Sequence, residues 1–372
     1  MTFTPCPLVQ MGDVLLGQLA RALVLLVAFA APTTMAKSIC WDYSDEEMGP
    51  LVPVSEWSSE PDSSFFNWSV RRAQFVPIAD MAEPDELFTL KNQLWVGNYQ
   101  NALSEGTMLN HVGEALRNER DVYVYRAQLA LGNFPLVLQS IPDAGNTPIA
   151  LSAVKLWATY LSGQSDKEMI DLTLKEWLAD PTSGENAHLL LIAGQIYARE
   201  GKLSDALSAL TRGGSLEHML YIVHLYLQMD RVDLAQKTVQ EMKRIEEDST
   251  LTQLAQAWCL TLQGGDKADE ATLHFQELAD RFGSTPLLLN GAAAAFMALK
   301  NYVEAERLLL EAVQKDPSNE DTLINLIAVS AHLSKPTHQY IVQLQQVAPS
   351  SSWLENYVLL DRGFSEMAAT FA

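Results

Sequence analysis

Histidine, cysteine and clustered carboxylates are the side chains through which this sequence could do chemistry, and their spacing argues against it. The seven histidines are His111, His188, His218, His224, His274, His332 and His338. No two stand four apart with a following carboxylate, the arrangement by which one helical face offers ligands to zinc. His224 lies within Met219-Leu-Tyr-Ile-Val-His-Leu-Tyr-Leu227, where a histidine is expected to be a hydrogen-bonded core or interface residue. Cys259 follows Trp258 and reads as a small buried hydrophobe, because a reactive thiolate needs an electropositive, accessible setting. Asp45-Glu46-Glu47 and Glu246-Glu247-Asp248 stand in polar stretches that leave them solvated rather than tuned for acid–base work. No glycine-rich loop follows a strand, so no phosphate cradle is expected. These residues predict a protein that is not an enzyme and has no metal or cofactor.

Hydrophobic residues make up 48% of the 372 and charged ones 19%, which excludes a disordered chain. The formal net charge of −21 argues against nucleic acid, whose phosphates need a surplus of Lys and Arg. It argues equally against unaided adhesion to an anionic membrane. Three cysteines, Cys6, Cys40 and Cys259, are too few for a disulfide framework, and a cytosolic or nuclear setting is expected for the bulk of the chain.

The first eighty residues differ in texture from the rest. An apolar run, Ala22 to Ala31, follows Arg21 and resembles a weak secretory signal with a small-residue cleavage pattern. It is too short to span a bilayer, which takes about 20 residues. From residue 37 to 80 there is no helical period, and half of the sixteen prolines fall at or before Pro84. Residues 1–80 are expected to be a disordered or irregular extension, with Met81 as the translation start and the earlier sequence an artefact of the gene model. Pro84-Asp85-Glu86 looks like a helix opening, since proline and acids suit the first turn. The acidity belongs to the main body, because residues 81–372 hold 37 acids against 21 bases.

From Met81 onward the sequence repeats. Helical runs end at Gly97-Asn98-Tyr99, Gly132-Asn133-Phe134, Gly201-Lys202-Leu203 and, without glycine, Lys300-Asn301-Tyr302. A slim residue follows at a fixed phase: Ala102, Val137, Ala206, Ala235, Ala271 and Ala305, with gaps of 35, 69, 29, 36 and 34. The 69 is two periods; the 29 is a unit cut short at Gly213-Gly214, which is expected to be the least cooperative joint. Tyr197, Tyr226 and Phe296 each stand nine residues before the slim residue, so that an aromatic on one helix faces an alanine on the next. This is the tetratricopeptide pattern. It predicts an all-α, tetratricopeptide-like helical-repeat α-solenoid over residues 81–372, with about seventeen helices at about 34 residues per pair.

Several first helices are apolar nearly all round, as helices buried on two sides are. The second face of a first helix lines the concave groove, and the phase places Leu87, Leu94, Trp95, Trp157 and Tyr160 there. Leu191, Leu220, Leu227, Leu287, Ala294 and Met297 continue the line. As a set they predict a partner-binding groove with Trp157 and Tyr160 as anchors. A chaperone adaptor would hold a cationic clamp in such a groove, but Leu191 with Gln195 and Leu220 with His224 fill the corresponding places. A prenyltransferase-like subunit would need positive charge the groove does not offer. A secreted or organelle-lumen scaffold follows only if residues 1–36 are taken at face value.

Particular blocks of sequence go beyond the repeat. Asp85-Glu86-Leu87-Phe88 with Gly97-Asn98-Tyr99-Gln100, and Asp230 to Ala235, resemble the epsilon subunit family of coatomer, the COPI vesicle coat. Glu247 to Trp258, Leu287 to Gly291, and Thr322 to Ile327 with His332 to Pro336 are similar to that family too. The resemblance covers Met81 to the end; the family lacks a counterpart of the first eighty residues, which leaves the localisation open. It implies a non-catalytic coat subunit that holds the carboxy-terminal domain of the alpha subunit, with the beta-prime subunit in the same subcomplex. It further implies recruitment by a small GTPase, a cytoplasmic protein peripheral to Golgi membranes and COPI vesicles, and a role in retrograde Golgi-to-ER and intra-Golgi transport.

Overall fold

The computed structural model describes residues 85–370 apart from residues 110, 112, 144–146, 164 and 350. The expectations for residues 1–80, and for Pro84, lie outside the described residues. Among the described residues there are seventeen helices and no strand. They pair as α1 (Phe88–Trp95) with α2 (Tyr99–Met108), α3 (Glu114–Ala130) with α4 (Phe134–Ser140), and α5 (Ile149–Ser162) with α6 (Lys167–Ala179). Next come α7 (Ala187–Arg199) with α8 (Leu203–Gly213), α9 (Leu216–Gln228) with α10 (Val232–Ile245), and α11 (Thr250–Gln263) with α12 (Asp266–Phe282). The last pairs are α13 (Pro286–Ala298) with α14 (Tyr302–Lys315) and α15 (Glu320–His332) with α16 (His338–Val347), followed by α17 (Ser352–Thr370).

The repeat phase explains the packing. Ala102, Val137, Ala206, Ala235, Ala271 and Ala305 are all completely buried, each at the point where the second helix meets the first. The turns share one hydrogen-bond scheme. The backbone N–H of Asn98, Asn133, Lys202, Arg231, Asn301 and Lys335 reaches the carbonyl oxygen five residues back, at 2.8 to 3.0 Å. The residue before each is left-handed: Gly97, Gly132 and Gly201, then Asp230, Lys300 and Ser334 at φ of 59°, 61° and 56°. This helix stop satisfies the last carbonyls and turns the chain back on itself. Three repeats thus keep the stop without glycine, which is why a glycine search alone undercounts them.

Two local expectations change. Asp85 and Glu86 precede the helix rather than opening it, and α1 has no acid in its first turn. Gly213-Gly214 is a tight joint. The ring of His218 lies where a Gly213 side chain would stand, 2.0 Å from an added Cβ. Its Nδ1 is 2.6 Å from the Ser215 hydroxyl and its Nε2 2.9 Å from the Ala187 carbonyl, bracing α9 against the start of α7. The short unit is therefore pinned at its break. A lightly held element is α6, where Ile170 and Leu174 are buried while Met169 and Leu172 face solvent and few residues of α5 and α7 reach it.

Successive first helices pack on one another, and the sum of the small rotations between repeats brings the array round on itself. Helix α1 therefore touches not only α2 and α3 but also α11, five repeats on. Local opening follows the number of buried apolar groups an element contributes. Amide hydrogen exchange is expected to show α6 opening before α8 and α9; slower exchange in α6 than across the Gly213-Gly214 joint would contradict this packing analysis.

Candidate functional site

The array closes through three contacts between residues far apart in sequence. The Thr250 hydroxyl donates to Asn92 Oδ1 at 2.6 Å, while Asn92 Nδ2 donates to the Phe88 carbonyl at 2.8 Å. The Thr285 hydroxyl donates to the Val96 carbonyl at 2.6 Å and also caps α13 through the Leu288 N–H. Gly97, left-handed at φ +81°, sits against Leu287, which an added Cβ would meet at 3.1 Å. Asn92, Thr250 and Thr285 are buried, so each satisfies a polar group that would otherwise be costly inside the protein.

Inside the ring so formed is a cavity of about 100 Å³, walled by first helices. Leu94, Trp95, Trp157, Leu220 and Leu287 line it, as the repeat phase predicts. The other residues of the predicted groove lie elsewhere. Leu87 is in the small core of α1 to α3, Leu191 in the core around α5 to α8, Leu227 and Ala294 in that around α9 to α13, and Met297 in that around α13 to α15. Tyr160 stacks on Trp157 with ring centroids 5.6 Å apart, but its hydroxyl donates to Glu200 in a separate cleft shared with Lys167 and Lys202. An open apolar groove is thus not what the chain presents. The second faces of the first helices are covered by neighbouring first helices and by α1 from across the ring.

A buried ion pair crosses this centre. The Arg126 guanidinium on α3 binds both carboxylate oxygens of Glu217 on α9, with Nη1 3.3 Å from Oε2 and Nη2 closer still to Oε1. Burial alone would raise the Glu217 pKa, but Arg126 overrides it and holds the carboxyl below the usual range. Tyr99 and Tyr221 beside the pair are pushed up by burial. Removing either partner would leave an uncompensated buried charge, at a cost of about 3–5 kcal/mol. The sequence signals this pair on one side alone: Glu217 is the single acid of the mostly apolar α9, whereas Arg126 is one of three arginines on α3. Trp258, Gln195 and His224 also line the cavity. His224, expected in the core or an interface, is 3% exposed here, while nothing in the repeat phase marks Trp258 or Gln195 as wall residues.

The blocks outside the repeat acquire physical roles. Asn290 Nδ2 donates to the Thr322 hydroxyl at 2.7 Å, and Asn325 Nδ2 donates to Asn290 Oδ1 at 2.9 Å, a buried ladder between α13 and α15. Gly291 lets Phe275 approach, since an added Cβ would stand 2.4 Å from its ring. Thr250 supplies the closing contact and Trp258 the cavity wall. On α17 the apolar side chains of Val358, Leu360 and Phe364 are exposed. No helix among the described residues is long and apolar enough to cross a membrane.

Buried histidines give the fold a pH dependence. Burial depresses His224 to about 3, and burial followed by the nearby Arg126 charge depresses His188 to about 4. An unfolded histidine titrates near ~6.5. Between those values the unfolded chain binds more protons than the native one, so stability falls as pH drops from about 6.5 towards 4. Burial also lowers His218 and His274. Asp321, raised to about 7 by burial and by Glu320, and Glu320, raised by burial, oppose this over the same window, two carboxyls against four histidines. The thermal midpoint is expected to fall between pH 7 and pH 5. His224→Leu should remove on the order of 2 kcal/mol of that fall. A midpoint independent of pH, or the same slope in the variant, would contradict the burial of these rings.

The sequence model of the coatomer epsilon subunit family matches residues 83–372. Coatomer subunit epsilon-1 of Arabidopsis thaliana is 41% identical over 295 residues, covering 79% of this chain and all of that protein. Its namesake in Oryza sativa subsp. japonica is 41% identical over 285 residues, covering 77% of this chain and 96% of that one. Coatomer subunit epsilon of Dictyostelium discoideum is 36% identical over 279 residues, covering 72% and 93%. Among solved structures, a chain of the APC/C hetero-tetramer Cut9-Hcn1 superposes with a TM-score of 0.51 at 15% identity, covering 75% of this chain and 56% of that one, a likeness of fold alone. The repeat fold, the ring-closing block around Thr250 and the match over residues 83–372 together make this chain a member of the coatomer epsilon subunit family.

Proposed function

We propose that this subunit of the COPI coat is a non-catalytic clamp for the carboxy-terminal domain of the coatomer alpha subunit. The observation that carries the reading is the cavity at the centre of the ring, whose wall holds Trp95, Trp157 and Trp258 with Leu94, Leu220 and Leu287. Tryptophan-rich, desolvated walls are where protein partners gain most of their affinity. At about 100 Å³ the cavity of the free chain is too small for a polypeptide element, so the ring widens to admit an apolar projection of the alpha subunit. The ring parts at the seam where α1 meets α11 and α13, since it joins elements that no neighbouring repeat connects. That seam holds the contacts of Asn92 with Thr250 and of Thr285 with Val96, and Val96 and Trp95 pack on the core there. The beta-prime subunit would belong to the same subcomplex. A small GTPase would recruit the whole coatomer to Golgi membranes, where this chain is peripheral and supports retrograde Golgi-to-ER and intra-Golgi transport.

The domain division follows the same reading. We propose that the repeat domain of residues 81–372 is the working part and that residues 1–80 contribute nothing to it.

A charge placed in the cavity wall tests the assignment. Leu220→Glu is expected to abolish capture of the alpha-subunit carboxy-terminal domain in a pull-down with the purified chain, while Leu360→Glu on α17 leaves it unchanged. Far-ultraviolet circular dichroism checks that the helices persist. Undiminished capture by Leu220→Glu, or loss by Leu360→Glu alone, would move the partner to another face.

A further inference from the structure

The wall of the central cavity is largely apolar, yet it holds two indole donors that no described residue satisfies. The indole N–H of Trp258 and that of Trp95 are both buried without an acceptor. Trp258 is only 2% exposed, and it lines the cavity together with Trp95 and Gln195. Gln195, 8% exposed, offers its carboxamide on the same wall. Buried donors are nearly always paired in folded proteins, and leaving one unpaired forfeits its hydration without return. Two such donors on one wall, contributed by α1 and α11 with the Gln195 carboxamide of α7 on the same wall, point to a ligand rather than to a defect of packing.

Resting on the reading of the cavity as the partner site, we propose that Trp95, Trp258 and Gln195 recognise the main chain of the inserted element. Charge decides against other ligands. The cation at the centre, Arg126, is held by both oxygens of Glu217, so no free positive charge remains on this wall for a carboxylate or phosphate. The indole donors call instead for neutral acceptors, and Gln195 for an acceptor and a donor together, because a carboxamide offers both. The peptide group is the neutral unit that presents both, through its C=O and N–H. Leu94, Leu220 and Leu287 around these groups require apolar side chains flanking that peptide. The occupant is therefore an uncharged segment of the partner, extended or in a turn, whose backbone is not already paired at these points. Affinity comes from the apolar flanks, and the register of insertion is set by the indole and carboxamide hydrogen bonds.

Trp258→Phe keeps the ring and deletes the donor; Gln195→Leu keeps the bulk and deletes the amide. Each is tested in the full chain by calorimetric titration with the alpha-subunit carboxy-terminal domain, alongside the thermal midpoint of the free chain. The expected result is a dissociation constant raised about 10-fold by either change, since a hydrogen bond lost on binding leaves the partner's carbonyl unpaired. The midpoint of the free chain is expected to stay level in both variants, or to rise in Trp258→Phe, where an unpaired buried donor has been removed. A structural role would lower affinity and midpoint together, which overturns the proposal. Unchanged affinity in both variants while Leu220→Glu still abolishes binding also overturns it, and leaves the cavity as the site. If Leu220→Glu binds normally as well, the cavity assignment itself fails and this proposal fails with it.

Discussion

Closure of the array on itself is the constraint from which the other features of this structure follow. A repeat protein left open would expose the second face of every first helix, and here those faces are among the most apolar parts of the sequence. Bringing α1 against α11 and the start of α13 covers them and confines the uncovered remainder to a small central cavity. The closing contacts combine a few buried hydrogen bonds with the packing of Val96 and Trp95 on the core of α9 to α13. Asn92 and Val96 on one side meet Thr250 and Thr285 on the other, across 158 and 189 residues of sequence. Such a seam fixes register, while the apolar residues around it supply the attraction.

The repeat fold was legible because each unit obeys the same local rules. The left-handed stop, the slim residue three beyond the turn, and the aromatic facing it set the bounds of nearly every helix in advance. The start of helix α3 at Glu114 was less legible, because Glu114-Ala-Leu-Arg is a good helix former without an apolar period to announce it. Ring closure was not legible. It depends on the summed rotation of five repeats, and a small change per repeat would carry α1 past α11. For the same reason the phase identified five residues of the cavity wall but also included Leu191, Leu227 and Met297, whose side chains the rotation turns into the seams between helices.

Family-like blocks of sequence fall where repeat position has no say. Thr250 closes the ring, Trp258 walls the cavity, Asn290 and Asn325 build the ladder between α13 and α15, and Gly291 makes room for Phe275. Each is a demand of one place in the array. The same holds for Arg126 and Glu217, which meet across the ring. Buried polar groups are expensive to strand, so a chain that carries them is committed to the arrangement that pairs them. In this chain that arrangement is the closed one.

The claim that the ring is closed in solution is tested most directly by a double-mutant cycle on its seam, with Asn92→Ala, Thr250→Val and the double variant compared by urea unfolding. Groups separated by 158 residues couple only if they touch in the folded protein. A coupling energy of about 1 kcal/mol is expected for this buried hydrogen bond. Strict additivity of the two substitutions would show that α1 and α11 do not meet, and would contradict the account.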